Sequence, residues 1–360
     1  MSHAAPSKAE LLQAVSAALA ETRSPLSGAP LQKLDDKGLA HDHIRIVGSG
    51  LLARVPKQSQ MQLAAHDNLT YQRVCFERAR ASGHVPHLQG VLAPSAHLPR
   101  GALLVEEIVG RAVQLPQDVG LIVHALASIH NLPLPTDERR APLINLADPL
   151  QALFDEVAEQ ARFLVPAGVS AQVQALLLAE LTGLQQLCAR PPRPERCLIA
   201  FDGHPGNYVI RATAGSPPQA ILVDLEKCRY SYPSLDLAHA TLYTSTTWDA
   251  EVNAVLTVRE IENAYKVWAD SVGPEMAQAM QAWHLPLRRA MWLWSVTWCA
   301  KWRSLSGAAA RDSGDGEDWS AQRSDAALIA HVRGRVDHYL SDEVVQGVLD
   351  ELRQLEQVLG

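Results

Sequence analysis

The sequence predicts an α+β protein in which a small β-rich lobe is followed by a larger, mainly helical lobe. Its 360 residues exceed one typical domain and suit two lobes. Strand-like patterns dominate between residues 43 and 108, and helical periodicity dominates after Gly110. We therefore predict three regions, which are an N-terminal helix and loop (1–34), a β-rich lobe (35–108) and a helical lobe (109–360).

Local patterns place the elements of the first two regions. Apolar residues recur at helical spacing after Ser7, and Glu10 completes the signature of a capping box. Alternating β-branched residues flank the Gly48-Ser-Gly50 turn, which is typical of a hairpin. The predicted elements are helices at 8–22 and 70–81 and strands at 43–47, 51–55, 88–92 and 102–108.

The remaining residues are mainly helical by pattern, with one compact β patch. Apolar periodicity predicts helices at 119–130, 151–163 and 170–188, and helices continue after the β patch to the end of the chain. A segment rich in Gly, Ala and Asp, 308–320, predicts a loop. Short apolar runs predict the strands of the β patch at 197–201, 208–211 and 220–223.

Composition narrows the functional classes. A net charge of −7 argues against a nucleic-acid or membrane partner, although a locally positive cleft remains compatible with phosphate chemistry. The five cysteines are odd in number and form no CxxC pair, which favours reduced thiols and a cytoplasmic protein. The N-terminus has no long apolar stretch, so we expect no signal peptide. The sequence is compatible with a monomer or a homodimer.

One constellation carries the chemistry. The segment FDGHPGN holds Asp202 and, five residues later, Asn207; a second apolar strand then ends at Asp224. Phosphoryl transfer needs positioning and charge neutralisation, and Mg²⁺ prefers hard oxygen ligands. The amide of Asn207 and the carboxylate of Asp224 are such ligands, and Asp202 is placed to accept a proton from a substrate hydroxyl. Any one of the three could merely cap a turn, but the ordered set indicates a kinase site.

These motifs resemble those of the aminoglycoside phosphotransferase and choline kinase family. The family pattern H-G-D-x-H-P-x-N followed by D-x-E matches FDGHPGN and VDLE from Asp202 onward. Weaker similarities in order along the chain extend the resemblance to roughly residues 35–245. The resemblance implies a protein-kinase-like fold, ATP and Mg²⁺ as cofactors, and a small-molecule hydroxyl acceptor.

The resemblance also implies roles for individual residues. Asp202 is then the catalytic base, and Asn207 and Asp224 are the Mg²⁺ ligands. The further residues with implied roles are Glu226 at the metal or its water, Asp236 as a brace of the loop, Arg54 at the ATP phosphates, Gly38 at the start of the covering loop, and the backbone of Glu106, Glu107 and Ile108 at adenine.

The sequence departs from the family pattern at two places. Ala200 and Phe201 stand where the family has His and Gly, which leaves a nucleotide-binding pseudokinase as an alternative. The first-lobe helix of the family usually offers a Glu to pair with the strand cation, and here the segment 70–77 lies at that place. Gln72 and Glu77 are both candidates for the partner of Arg54, and the sequence does not choose between them.

Two other features leave alternatives open. His204 beside Asp202 and Asp224 allows a metal-dependent hydrolase, but no HxxxH or HExxH spacing accompanies it, which favours a structural His. Trp294, Trp298 and Trp302 share one helix face, with Trp292 nearby, and indicate either core packing or an aromatic wall for a cationic acceptor. The cations in the same region that could instead contact an anionic acceptor are Arg288, Arg289, Lys301 and Arg303.

Overall fold

The structure is a computed structural model that describes residues 7–35, 38–309 and 319–360. The chain forms two compact units. The first comprises Met1–Arg80, Pro86–Ile108 and Leu305–Val332, and the second comprises Ala81–Val85, Val109–Ser304 and Arg333–Gly360.

An antiparallel sheet forms the centre of the first unit. Its strands follow the order β1-β2-β3-β5-β4, and the β2–β3 hairpin turns at Gly48 and Gly50, whose positive φ angles of 81° and 72° suit glycine. The elements of this unit are α1 (Lys8–Glu21), β1 (Leu31–Lys33), β2 (His41–Ile46), β3 (Leu51–Pro56), α2 (Ala65–Ala79), β4 (Leu88–Leu92) and β5 (Ala102–Glu106).

Helix α1 packs on this sheet. The Ser7 side chain accepts a hydrogen bond from the Glu10 backbone, and the Glu10 side chain accepts one from Ser7, so the predicted capping box is present. Leu11, Val15 and Leu19 of α1 are buried in one cluster with apolar residues of β2, β3 and β5. Burial of this helix face is what holds α1 in place, because a helix of this length is marginal in water by itself.

The second unit is mainly helical and contains the β patch. Strands β6, β8 and β9 form one small antiparallel sheet, and β7 pairs with β10 in another. The strands are β6 (Arg111–Ala112), β7 (Cys197–Ile199), β8 (Tyr208–Arg211), β9 (Gln219–Leu222) and β10 (Arg229–Ser231). The helices that follow β6 along the chain are α3 (Val119–His130), α4 (Pro149–Ala161), α5 (Ala171–Cys188), α6 (Pro233–Thr241), α7 (Tyr243–Thr246), α8 (Val258–Val272), α9 (Pro274–Met280), α10 (His284–Leu305), α11 (Ala326–Tyr339) and α12 (Asp342–Leu359). Residues 326–332 of α11 belong to the first unit.

The observed boundaries correct several predictions. Helix α2 begins at Ala65, five residues before the predicted start, and β5 ends at Glu106 rather than Ile108. Strands β1, β6 and β10 were not predicted, because two or three residues are too few to show alternation. Residues 310–318 of the predicted glycine-rich loop lie outside the described residues.

Two bulk predictions can be compared with the structure. All five cysteines are free thiols, and all except Cys188 are buried. Within the described residues, each helix is too short or too polar to cross a bilayer.

Candidate active site

The loop between β7 and β8, with the hairpin that follows it, carries three of the predicted residues, which are Asp202, Asn207 and Asp224. The Asn207 side-chain amide donates to the Asp202 carbonyl at 2.8 Å, which closes the loop over a 3₁₀ turn at Pro205–Asn207. The Asn207 carbonyl in turn accepts from Val223 N at 2.9 Å. Asp224 therefore follows directly on the residue that pairs with Asn207.

The register of the β8–β9 hairpin explains this convergence. Tyr208 pairs with Leu222, so Asn207 and Val223 continue the ladder by one step. Glu226 is buried two residues further on, and its backbone N–H lies 3.4 Å from the Asp224 carboxylate. Asn207 Nδ2 is the end of the amide that is hydrogen-bonded, which leaves its oxygen as the end suited to a cation.

A lysine that the sequence reasoning missed lies against the predicted base. Lys227 Nζ is 2.7 Å from Asp202 Oδ2, and the lysine side chain is only 10% exposed. Burial alone would raise the pKa of Asp202, but the positive charge of Lys227, with smaller contributions from His239 and His204, lowers it to about 2. The signal in the sequence was the cation directly after VDLE, three residues past Asp224.

Two histidines flank the loop in structural roles. His204 Nδ1 accepts a hydrogen bond from Gly206 N at 3.2 Å and caps the 3₁₀ turn. His239 Nδ1 lies 3.1 Å from the Phe201 carbonyl, which can only accept, so this nitrogen carries the proton. Burial lowers the pKa of His239 to about 4, and the ring is therefore neutral at pH 7.

Asp236, at the start of α6, holds the other end of the loop. Its two carboxylate oxygens accept from the backbone N–H groups of Ala200 and Phe201, each at 2.7 Å. His130 Nε2 lies 3.1 Å from the same carboxylate, and Trp268 Nε1 donates to His130 Nδ1 at 2.9 Å. Because the Trp268 indole can only donate, His130 Nδ1 accepts and the ring proton is on Nε2. His130 therefore donates to Asp236, as do the backbone N–H groups of Ala200 and Phe201.

Phe201 occupies the position where the family pattern has glycine. Its backbone has a conformation that glycine adopts more readily than other residues. Its φ is +62°, in the left-handed region that costs a non-glycine residue about 1 kcal/mol or more. The buried ring meets Trp294 edge-on at 5.1 Å between centroids, and the Arg229 guanidinium stacks over it at 3.6 Å. Packing of the ring offsets the backbone strain, so the loop keeps its conformation without glycine.

Two glycines elsewhere in this unit lie close to neighbouring atoms. A Cβ on Gly110 would lie 2.3 Å from the Ile210 carbonyl, so the backbone approaches β8 closely at this glycine. A Cβ on Gly206 would lie 2.8 Å from the Asp249 carboxylate. At Gly110 the neighbouring atom is main chain, which explains glycine at this position, whereas at Gly206 it is the end of a side chain.

In the first unit, Arg54 is buried on β3 and linked to Gln72 through a histidine. Arg54 Nη2 lies 3.3 Å from His41 Nδ1, and His41 Nε2 lies 2.9 Å from the Gln72 amide oxygen. The Arg54 guanidinium also lies over the Phe76 ring at 5.6 Å. Glu77 instead pairs with Arg73 along the exposed face of α2, so of the two candidates Gln72 is the one connected to Arg54.

The segment predicted to hold adenine and the predicted covering loop lie in the same unit. Glu107 N donates to the Gly50 carbonyl at 2.8 Å, and the Glu107 carboxylate pairs with Arg45 at 2.6 Å. The Glu106 carboxylate accepts from the His87 backbone at 3.1 Å, and Ile108 follows β5 without regular structure. Gly38 is exposed, and a Cβ there would meet nothing within 4 Å.

The tryptophan stripe is mostly core. Trp292 and Trp302 are buried, and Trp298 packs edge-on against Trp248 at 5.9 Å. Trp294 donates to Glu156 at 2.7 Å. The nearby cations are also paired with carboxylates: Arg288 with Glu351, Arg289 with Glu180 and Glu356, Lys301 with Glu159, and Arg303 with Asp337.

Comparison with known proteins identifies the family of this arrangement. The chain matches the phosphotransferase enzyme family over residues 61–270. None of the curated proteins compared matches it in sequence.

Solved structures with the same fold are similar along almost the whole chain. A putative aminoglycoside phosphotransferase from Ralstonia eutropha has a TM-score of 0.60 at 12% identity, with 95% of this chain and 98% of that chain covered. A choline/ethanolamine kinase family protein from Mesorhizobium loti has a TM-score of 0.56 at 15% identity, with 95% and 99% covered. A microcompartment-associated aminopropanol kinase has a TM-score of 0.57 at 16% identity, with 92% and 98% covered. The predicted bilobal, protein-kinase-like fold class is confirmed.

Proposed function

Because the chain belongs to the phosphotransferase enzyme family, we propose that it transfers the γ-phosphoryl group of ATP to a hydroxyl group of a small molecule, with Mg²⁺ as the metal. The observation that carries this proposal is the convergence of Asp202, Asn207 and Asp224 on one loop and its hairpin. Oxygen-bearing side chains in this order suit a reaction that depends on positioning and charge neutralisation.

The metal ligands in this proposal are Asn207 and Asp224. An amide oxygen and a carboxylate are hard donors, and few protein ligands are needed because phosphates and water complete the shell of Mg²⁺. The fit rests on the Asn207 side chain, whose Nδ2 is bonded to Asp202 and whose oxygen therefore points the other way. A metal bound there supplies neutralisation of phosphate charge. Glu226, which is buried two residues after Asp224, is proposed to contact the metal or its water.

Asp202 is the group that receives the acceptor in this proposal. With its pKa lowered to about 2 it is a carboxylate at neutral pH, able to accept a hydrogen bond from the acceptor hydroxyl and orient its oxygen. The acceptor oxygen forms a bond to the γ-phosphorus while the bond from that phosphorus to the oxygen bridging it to the β-phosphate breaks. The hydroxyl proton passes to Asp202 as the new bond forms, and ADP leaves with the bonding electrons.

Residues of the first unit are proposed to bind the nucleotide. Arg54 is the cation for the phosphates, and its contacts with His41 and Phe76 hold the guanidinium in one orientation. The backbone of Glu106, Glu107 and Ile108 is proposed for adenine. Glu106 N is already bonded to the His87 carbonyl and Glu107 N to the Gly50 carbonyl, so Ile108 carries the N–H of this segment that is proposed to face adenine. Gly38 is proposed to begin the segment that covers the phosphates.

The experiment is a screen of ATP consumption over alcohol-bearing metabolites and antibiotics, with single variants compared on every acceptor that reacts. Asp202→Asn is expected to bind nucleotide and lose transfer by about 1,000-fold or more. Asp224→Asn is expected to lose both transfer and the dependence of nucleotide affinity on Mg²⁺. Asp155→Asn, on an exposed face of α4 where its partner is Gln151, is the matched control and keeps full activity.

Two results would contradict the proposal. Full turnover by Asp202→Asn would remove this residue from the reaction. Nucleotide binding by the wild type with no turnover on any acceptor would identify a pseudokinase instead.

A further inference from the structure

Lys227 is the feature of the site that the proposed function leaves unexplained. It follows Glu226 in the turn after β9, where Cys228 N donates to the Leu225 carbonyl at 3.1 Å. Arg229 Nε donates to the Lys227 carbonyl at 3.2 Å and fixes the backbone of the lysine. The ammonium group is therefore held beside the predicted base by a short, well-bonded turn.

The charge of Lys227 is maintained in this position. The lysine side chain is nearly buried, and its ion pair with the Asp202 carboxylate offsets the cost of burying the charge. Nζ lies 2.7 Å from Asp202 Oδ2. A hydroxyl bound to the other carboxylate oxygen would lie about 5 Å from this cation, as judged from ordinary hydrogen-bond lengths.

Lys227 also covers the face of an aromatic ring. Lys227 Nζ lies over the Trp294 ring at 5.7 Å from its centroid, within the range of a cation–π contact. An acceptor ammonium on this ring face would have to displace Lys227. The Glu156 carboxylate, another group that attracts cations, is already bonded to Trp294 Nε1 at 2.7 Å.

These contacts bear on the charge of an acceptor bound at Asp202. An amino alcohol with its ammonium one or two carbons from the reacting hydroxyl would place two cations within a few ångströms of each other in a partly buried site. A carboxylate or phosphate at the same place would instead pair with Nζ. The solved structures reported above are named for choline, ethanolamine, aminoglycoside or aminopropanol, all of which carry an amine or ammonium group.

We propose that Lys227 selects the acceptor, which is a hydroxyl compound carrying a carboxylate or phosphate near the reacting hydroxyl and not an amino alcohol. This inference rests on the proposed phosphotransferase function. It assigns Lys227 a role in specificity that the family motif does not contain, because the motif ends at Glu226.

The test compares the turnover of acceptors that are similar in size and differ in charge. Glycerate, glycerol and 3-amino-1,2-propanediol share a vicinal diol and differ in the charge of the third group, and they head a wider panel of anionic, neutral and cationic alcohols. For the wild type, kcat/KM is expected to be about 100-fold or more higher for anionic than for matched cationic acceptors. In Lys227→Met this ratio is expected to fall to about 10-fold or less, and Lys227→Arg should retain most of it because the charge is kept.

A matched control separates charge selection from loss of structure. Lys266 also pairs with a carboxylate, that of Glu262 at 2.5 Å on the surface of α8. Lys266→Met removes a lysine ion pair elsewhere on the unit and should leave the charge ratio unchanged. Urea unfolding of each variant checks that it is folded, and Lys227→Gln, which removes the charge but keeps a hydrogen-bond donor for Asp202, carries the test if Lys227→Met is not folded.

The outcomes distinguish this inference from the function on which it rests. Turnover of cationic acceptors by the wild type at rates equal to those of their anionic counterparts would overturn the inference and leave the phosphotransferase function standing. An unchanged charge ratio in Lys227→Met would also overturn it. Absence of turnover on the whole panel would overturn the proposed function, and the inference would fall with it.

Discussion

His130 and Asp236 form a fully buried hydrogen bond, with 3.1 Å between Nε2 and the carboxylate. The same carboxylate accepts from the backbone of Ala200 and Phe201, so it meets three donors and offers none itself. The conformation of the loop that carries Asp202 therefore depends on the acceptor capacity of one buried side chain.

Asp236→Asn is expected to lower the free energy of unfolding by about 3 kcal/mol or more, because an amide offers one oxygen to three donors and turns its own NH₂ toward one of them. Urea denaturation at pH 7 measures the change. Asp155→Asn on the exposed face of α4 provides the comparison and should change stability by less than about 0.5 kcal/mol. A loss below about 1 kcal/mol for Asp236→Asn would show that the loop is held by other contacts.

The tautomer of His130 depends on Trp268, and a second buried tryptophan provides the control. Trp268→Phe removes the donor to His130 Nδ1, whereas Trp292 Nε1 has no hydrogen-bond partner within the described part of the chain. Both indoles are fully buried. Trp268→Phe is therefore expected to cost about 1–2 kcal/mol more than Trp292→Phe in urea denaturation. Equal losses for the two variants would mean that packing alone accounts for Trp268.

The positive φ of Phe201 predicts that glycine gives a more stable protein than alanine at this position, the reverse of their usual order. Phe201→Ala and Phe201→Gly both lose the buried ring, at a cost of about 3–5 kcal/mol. Glycine also relieves the left-handed strain, so Phe201→Gly should be more stable than Phe201→Ala by about 1 kcal/mol.

Phe76 provides the comparison for this order. It is also buried, but it lies within helix α2, where alanine is favoured over glycine by about 1 kcal/mol. The same pair of substitutions at Phe76 should therefore give the opposite order. Alanine more stable than glycine at both positions would contradict the strain at Phe201.

The lowered pKa of Asp202 predicts a loss of stability in acid. Because its pKa falls from the ordinary 3.8 to about 2 on folding, its contribution is complete above pH 4 and is lost as the pH falls toward 2. Between pH 5 and pH 3 the wild type should lose about 1 kcal/mol more than Asp202→Asn does. Urea unfolding at several pH values compares the two curves, and parallel curves would mean that Asp202 does not have a depressed pKa.

The connection of Arg54 to Gln72 rather than Glu77 predicts a difference in nucleotide affinity. Arg54→Met should weaken ATP binding by about 10- to 100-fold, as expected for loss of a charge-assisted contact. Gln72→Leu removes the acceptor for His41 and should weaken binding by less. Glu77→Gln breaks only the surface pair with Arg73 and should leave the affinity unchanged in calorimetry. Weaker binding by Glu77→Gln than by Gln72→Leu would reverse the assignment.

Elements with a strong repeating pattern could be predicted from the sequence. Helix α3 was predicted with both ends at the observed residues, and the β8–β9 hairpin that aligns Asn207 with Val223 follows from two short apolar strands around a polar turn. The choice between Gln72 and Glu77 could not be predicted. These residues are five apart on one helix, about 140° around its axis, and only the rotation of α2 against the sheet decides which one turns inward.

The contacts of Lys227 could not be predicted either. Its pairing with Asp202 depends on the turn after β9, which no periodicity describes, and on burial that the composition of the segment does not reveal. The backbone strain at Phe201 could not be predicted either. A non-glycine residue at a glycine position of a motif does not show whether the backbone conformation or the chemistry of the site differs from the family.

Asp236 binds the main chain of residues 200 and 201 and makes no use of their side chains in doing so. Residues at these two positions can therefore be substituted during evolution while the backbone conformation of the loop is kept. Searches for distant relatives that require histidine and glycine before the aspartate would overlook such proteins, whereas a search for the partner aspartate at the start of the following helix would retain them.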